Sequence, residues 1–131
     1  MIGLDTNVLV RYLTQDDPEQ AAGATRLIEH ELTEESPGFI GIVVLVETTW
    51  VLQRLYRVRA EEIRETVTHL LGSRTIVVEN REVVARAISI CESNACSFAD
   101  AVIVASALGA GCETIMTFDR GATRAGMTLV E

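Results

Sequence analysis

The first thirteen residues, M-I-G-L-D-T-N-V-L-V-R-Y-L, run a short apolar stretch into a single carboxylate, Asp5, and then at once into a second apolar stretch. That pattern is a strand ending in an acid with a helix starting directly behind it. In open parallel α/β sheets, ligands bind outside the carboxyl ends of the strands. Asp5 therefore stands where such a fold places its site, and the rest of the chain determines what accompanies it.

The pattern repeats. Ile2 to Leu4 is a continuous apolar run, which predicts a strand buried on both faces, and Asn7 to Leu13 is a short helix. Asp17 is a good N-cap, Pro18 suits the first helical position, and Gln20 completes a capping-box spacing. The second helix runs to about Leu32, with Ala21, Ala24, Ile28 and Leu32 on one face, and Ser36-Pro37-Gly38 breaks it. Phe39 to Ile42 reads as a strand. A third helix follows from about Val44 to Arg57, with Leu45, Thr48, Leu52 and Leu55 at helical spacing and Glu47 in the first turn. A fourth spans about Ala60 to Leu71, with Ile63, Val67, Leu70 and Leu71 inward and Gly72 at its end. Thr75 to Val78 is a third strand. Asn80 caps a fifth helix with the stripe Val84, Ile88 and Cys91, and Ser97 caps a sixth from about Phe98 to Leu108. The sixth is apolar nearly all round, as in a helix buried at the centre of a fold. Thr114 to Phe118 is a strand that delivers Asp119, Gly121 to Gly126 a turn or short helix, and Met127 to Val130 a last strand. Strands alternating with helices indicate an α/β sandwich around a mostly parallel sheet.

A length of 131 residues and 48% hydrophobic content fit one well-packed domain, residues 1–131. No uncharged apolar run approaches the roughly 18 residues of a membrane span, and no signal peptide is visible. The expected location is cytoplasmic. Cys91, Cys96 and Cys112 form no C-x-x-C pair, and the two histidines, His30 and His69, lie far from them. That inventory argues against zinc and for buried, reduced thiols in apolar helices. A net charge of −8 runs against the basic footprint usual for nucleic-acid binding. Two facts qualify it. Carboxylates gathered on a metal are neutralised by it, and all eleven basic residues are arginines, the better bidentate phosphate ligand.

Four acids interrupt apolar segments: Asp5, Glu47, Asp100 and Asp119. Each falls at a predicted strand end or in the first turn of a following helix. A buried carboxylate without a partner is costly. With no lysine in the chain, four of them imply a cation that is not a side chain, and oxygen-rich sites suit Mg²⁺ or Mn²⁺. Each acid also has a local reading. Asp5 can cap the first helix, Glu47 can favour a helix dipole, Asp100 can close a capping box with Ser97, and Asp119 can serve a turn with Arg120-Gly121. A capping acid can still turn its other oxygen to a metal.

D-T-N-V-L-V-R-Y-L, V-V-L-V-E-T-T-W-V-L, S-F-A-D-A-V-I-V-A-S-A and T-I-M-T-F-D-R, in this order and at these separations, resemble the PIN-domain ribonucleases. The nearest kind is the free-standing VapC-type toxin of bacterial toxin–antitoxin systems, and the resemblance covers essentially the whole chain. It implies a three-layer α/β/α sandwich with a mostly parallel central sheet of about five strands. It also implies Asp5, Glu47, Asp100 and Asp119 as catalytic, metal-holding acids, with Thr6, Asn7 and Thr117 as polar companions. The activity implied is hydrolysis of RNA phosphodiester bonds with Mg²⁺ or Mn²⁺ by a two-metal mechanism. Asp5 would be central, Asp100 and Asp119 on the nucleophile side, and Glu47 on the other. A homodimer and a cognate antitoxin protein come with the resemblance. Phosphate contacts must come from arginines, for which Arg11, Arg54, Arg57, Arg120 and Arg124 are candidates; each can equally belong to a solvated helix face.

Rival folds with an acid after the first strand fare worse. A haloacid-dehalogenase-type phosphatase needs a second Asp where Asn7 stands, and both it and a response-regulator receiver need a lysine. A P-loop enzyme needs G-K-[ST], which is absent. The remaining alternative is a non-catalytic PIN-like module that binds RNA or protein.

Overall fold

The computed structural model describes residues 1–131, which divide into two compact units, residues 1–79 and 80–131. The N-terminal unit begins with β1 (Ile2–Gly3), α1 (Thr6–Thr14) and α2 (Pro18–Arg26). It continues through β2 (Gly38–Ile40), α3 (Ile42–Leu55), α4 (Ala60–Gly72) and β3 (Ile76–Val78). The strands form a parallel sheet in the order β1-β2-β3, with Gly3 opposite Phe39 and Phe39 opposite Val77. Parallel neighbours need long crossovers, and here helices supply them.

The helix starts are chemical. Asp17 Oδ1 accepts the Gln20 N–H at 3.1 Å and Pro18 opens α2, the arrangement its sequence predicts. Beyond Arg26 the chain widens into a π-helical turn, Leu27–Glu31, closed by the Leu32 N–H on the Leu27 carbonyl. The predicted end near Leu32 stands, and Leu32 is buried. Gly38 sits where chains crowd. A Cβ there would lie 2.8 Å from a Leu32 methyl and 2.9 Å from a Leu4 methyl, so only glycine leaves that packing undisturbed. Leu9, Ile40, Leu45, Ile63 and Val67 are the most deeply buried large side chains of this unit.

The C-terminal unit holds α5 (Arg81–Asn94), α6 (Phe98–Gly109), β4 (Met116–Thr117) and β5 (Thr128–Leu129), with a short 3₁₀ helix, Gly121–Ala125, between the strands. α5 packs on α6. The predicted stripe Val84, Ile88 and Cys91 is buried. Ser97 Oγ accepts the Asp100 N–H at 3.1 Å, as a cap for α6 should. Val104 of α6 packs with Ala122, Ala125 and Met127 beneath the 3₁₀ turn, and β4 pairs with β5 in parallel.

Six helices and parallel strands make this a mixed α/β fold, but several expectations need correction. There is no single sheet of about five strands; three strands pair in one sheet and two in another. β1 is not buried on both faces. It is an edge strand of its sheet, and Ile2 is exposed while Leu4, just beyond it, is buried. α3 starts at Ile42, two residues before the predicted start, because Gly41 ends the strand early and the Glu79 carboxylate accepts the Ile42 N–H at 2.7 Å. Leu55 is exposed although it follows the helical spacing. α6 is not buried all round, since Ile103 is half exposed. Cys112 is an exposed thiol outside any helix, whereas Cys91 is buried in α5. No helix is long and apolar enough to cross a membrane.

Candidate functional site

Asp5 follows directly on β1 and Leu4. Its backbone is extended, and its Oδ1 accepts the Thr6 N–H at 2.8 Å, so it caps α1. The cap fixes the carboxylate and uses one oxygen. Thr6, the first residue of α1, is buried, and its hydroxyl donates to Oε1 of Glu47 on α3. That contact spans 41 positions of sequence and ties the start of α1 to the middle of α3. Because α3 begins at Ile42, Glu47 lies in its second turn and not its first. The helix-dipole reading of Glu47 falls away, since that effect fades beyond the first turn. What holds Glu47 is Thr6. Asp5, Thr6, Asn7 and Glu47 line one hollow of about 330 Å³, together with Arg11 and Tyr56.

Arg11 enters this hollow from a network that the sequence did not foretell. Its Nη1 lies 3.3 Å from Asp16 Oδ1 and donates to the Tyr56 hydroxyl at 3.2 Å, while Nε donates to Gln20 at 2.8 Å. Tyr56 in turn donates to Asp16 Oδ2 at 2.5 Å, and the Thr14 hydroxyl donates to Asp16 Oδ1 at 2.9 Å. The Tyr56 hydrogen bond holds the Asp16 carboxyl below the usual carboxylate range, with the Thr14 bond and the Arg11 charge adding to it. A depressed pKa means that the folded state favours ionised Asp16. Its stabilising contribution is present above the ordinary carboxylate range and is lost as the pH falls through the depressed value. Tyr56→Phe removes the largest cause. The Asp16 titration midpoint, followed by carboxyl-carbon NMR, is expected to rise toward the ordinary range; an unmoved midpoint contradicts this account.

In the C-terminal unit, Asp100 lies in the first turn of α6, half-buried. The Ser97 half of the predicted capping box forms, while the Asp100 carboxylate takes no hydrogen bond or ion pair of its own. Asp119 follows β4. Its N–H is accepted by Thr117 Oγ1 at 3.0 Å and its Oδ1 accepts the Gly121 N–H at 2.8 Å, the turn its sequence suggested.

A family model for the PIN domain matches residues 2–126. The chain belongs to the PIN-domain family. No curated protein gives a significant match. PIN domains are generally nucleases and generally depend on divalent metal.

Within this PIN domain, the premise of four buried acids is corrected. Asp5, Glu47 and Asp119 are exposed and Asp100 is half-buried. The strands are only two or three residues long, so the acids beyond their ends emerge into solvent and carry no large desolvation cost. Donor chemistry, not burial, suits these acids to a cation. Within neither unit do three or more His, Cys, Asp or Glu side chains gather at metal-holding distance. The N-terminal unit brings Asp5 and Glu47 to one hollow, and each keeps one carboxylate oxygen uncommitted. An all-oxygen donor set of this kind fits Mg²⁺ or Mn²⁺.

The arginine candidates separate. Arg11 reaches the hollow. Arg54 lies over the Trp50 ring, 5.6 Å from its centroid. Arg57 is exposed at a left-handed backbone position, and Arg120 and Arg124 are exposed at the 3₁₀ turn. His30 and His69 are exposed on helical surfaces. Tyr56, Asp16 and Glu79 are contributors that the sequence reading missed. Their partners lie tens of residues away in sequence for Tyr56 and Glu79, and no local spacing signals such contacts.

Proposed function

We propose that this PIN domain is a metal-dependent endoribonuclease of the VapC toxin type, hydrolysing RNA phosphodiester bonds with Mg²⁺ or Mn²⁺. The observation that carries the reading is the Thr6 hydroxyl on Glu47. It keeps a second exposed acid beside the helix-capping Asp5, in a hollow that also holds an arginine and a tyrosine. In this reading the whole chain works as one PIN domain, and Asp5, Glu47, Asp100 and Asp119 are its metal-holding acids. A bound divalent ion supplies a nucleophile at neutral pH and charge relief on the leaving oxygen.

The chain's own residues do the rest. The α1 cap restrains Asp5 through one oxygen and leaves the other for a cation. Thr6 aims Glu47. Asn7 adds a neutral polar group on the same rim, and Thr117 shapes the turn that presents Asp119. Arg11, held by Asp16 and Tyr56, offers a planar donor to a substrate phosphate, and Arg54, Arg57, Arg120 and Arg124 are further candidates for phosphate contacts. The same reading expects a cytoplasmic homodimer restrained by a cognate antitoxin that covers the acids, with a small DNA-binding protein encoded beside this chain.

The test is incubation with several RNAs and Mg²⁺ or Mn²⁺, with and without EDTA. Cleavage that EDTA stops and added Mn²⁺ restores is the expected result. RNA binding without metal-dependent cleavage of any RNA favours the non-catalytic binding module. Thr6→Val probes the carrying observation. It keeps the shape and removes the hydroxyl, so kcat is expected to fall about 10- to 100-fold, the usual loss when a group orienting a metal ligand is removed. Glu47 stays solvated, so the urea midpoint should move by no more than about 1 kcal/mol in stability.

A further inference from the structure

We propose that Trp50 is a stacking platform for an unpaired nucleobase, forming a subsite for single-stranded RNA beside Glu47. The inference rests on the ribonuclease reading and deepens it by naming a side chain that holds a base of the substrate.

Glu47 borders two hollows. One is the polar hollow of Asp5, Thr6, Arg11 and Tyr56. The other, about 440 Å³, is lined by Glu47 with Ile42, Val43, Val46 and Trp50, and is otherwise apolar. Its volume falls in the range of small-molecule sites and accommodates a nucleoside. Trp50 is 52% exposed and Val43 is 77% exposed, an unusual outlay of apolar surface on one helix face. Two different neighbours flank Trp50 along the helix. The hollow's other residues lie on the turns before Trp50, and Arg54 lies one turn after it, its guanidinium over the ring. Trp50 thus borders the hollow and carries a cation over its ring.

A polynucleotide alternates apolar base faces with charged phosphates, and the surface on either side of Glu47 alternates in the same way. Donors and metal-binding oxygens lie on one side, and an aromatic apolar pocket on the other, with Arg54 beyond it for a following phosphate. Bases stack on exposed aromatic rings only when they are unpaired, and arginine strengthens the platform. A duplex presents no free base face to this pocket.

Trp50 is the only tryptophan in the chain, so its emission reports on this subsite alone. The probe is a short oligoadenylate added to Asp5→Asn protein in Mg²⁺, so that the strand stays intact. Saturable quenching is expected with the single strand. Neither the same strand paired with oligouridylate nor an abasic ribose-phosphate strand should quench. Trp50→Leu should weaken oligoadenylate binding roughly 10-fold, while Trp50→Phe binds close to wild type. In the active chain Trp50→Leu should raise KM by a similar factor and leave kcat nearly unchanged. A strand that binds without altering Trp50 emission, or a Trp50→Leu protein that binds as tightly as wild type, overturns the proposal. Emission that changes with protein concentration alone, in step with dimer formation by sedimentation, assigns the hollow to a second copy and also overturns it. Quenching by a chain that shows no metal-dependent cleavage keeps the stacking subsite and rejects the ribonuclease reading; cleavage without quenching does the reverse.

Discussion

Asp5→Asn should abolish metal-dependent RNA cleavage while leaving the fold intact. Asp5 has two jobs that the substitution separates. Its Oδ1 accepts the Thr6 N–H and starts α1, and asparagine performs that task about as well as aspartate. The amide also keeps the side chain's shape. What asparagine lacks is the negative charge and the second anionic oxygen that a hard divalent ion requires. Loss of a group that merely orients a metal ligand costs 10- to 100-fold, so loss of a central ligand should lower kcat/KM by more than about 100-fold. The stability read from thermal unfolding should stay within about 1 kcal/mol of wild type. Asp5→Ala provides the contrast, because it loses both jobs and should lose about 1 kcal/mol of stability along with the activity. Full activity in a folded Asp5→Asn protein rejects Asp5 as a metal ligand.

What the sequence made legible follows from how far each interaction reaches along the chain. Caps act over three residues, so Asp17 with Pro18 and Gln20, and Ser97 with Asp100, could be read directly, and both are present. The Asp5 cap and the Asp119 turn were legible as local alternatives for the same reason. The alternation of strands and helices was legible because helical and extended periodicities differ. The family was legible because four separate motifs fell in order, and a PIN model spans residues 2–126.

Pairing between distant segments was not legible. The start of α3 moved two residues because Glu79, at the end of β3, caps it from 37 positions away. That shift took Glu47 out of the first turn and replaced a dipole argument with a hydroxyl from Thr6. The arginine network at Asp16 depends on Tyr56, 40 positions off. Exposure misled in the same way. An apolar run such as Ile2 to Leu4 suggests burial, but position in the sheet decides it, and β1 lies at an edge. The acids were singled out because they interrupt apolar runs, and two of them, Asp5 and Glu47, do share a hollow. The inference that they were buried failed because Asp5 follows a two-residue edge strand and Glu47 lies on an exposed face of α3.

Leu9→Ala should cost about 2–5 kcal/mol of stability and lower activity in the molecules that remain folded. Leu9 is 1% exposed and lies one turn after Thr6 in α1, on the helix that packs against α3. Truncation removes buried methyl groups and leaves a cavity that rigid helices close only partly. Small domains have about 5–15 kcal/mol in all, so the urea midpoint should fall well below wild type. The second effect is specific to this position. The preceding turn of α1 carries the Asp5 cap and the Thr6 hydroxyl on Glu47, and a cavity beneath Leu9 lets α1 shift against α3. Ile63→Ala separates the two effects. Ile63 is 2% exposed in α4 and lines neither hollow, and its truncation falls in the same range of stability loss. At a temperature where both variants are folded by circular dichroism, Ile63→Ala should cleave RNA at the wild-type rate and Leu9→Ala should not. Equal rates in the two variants mean that α1 holds Asp5 and Thr6 in place without help from the core beneath them.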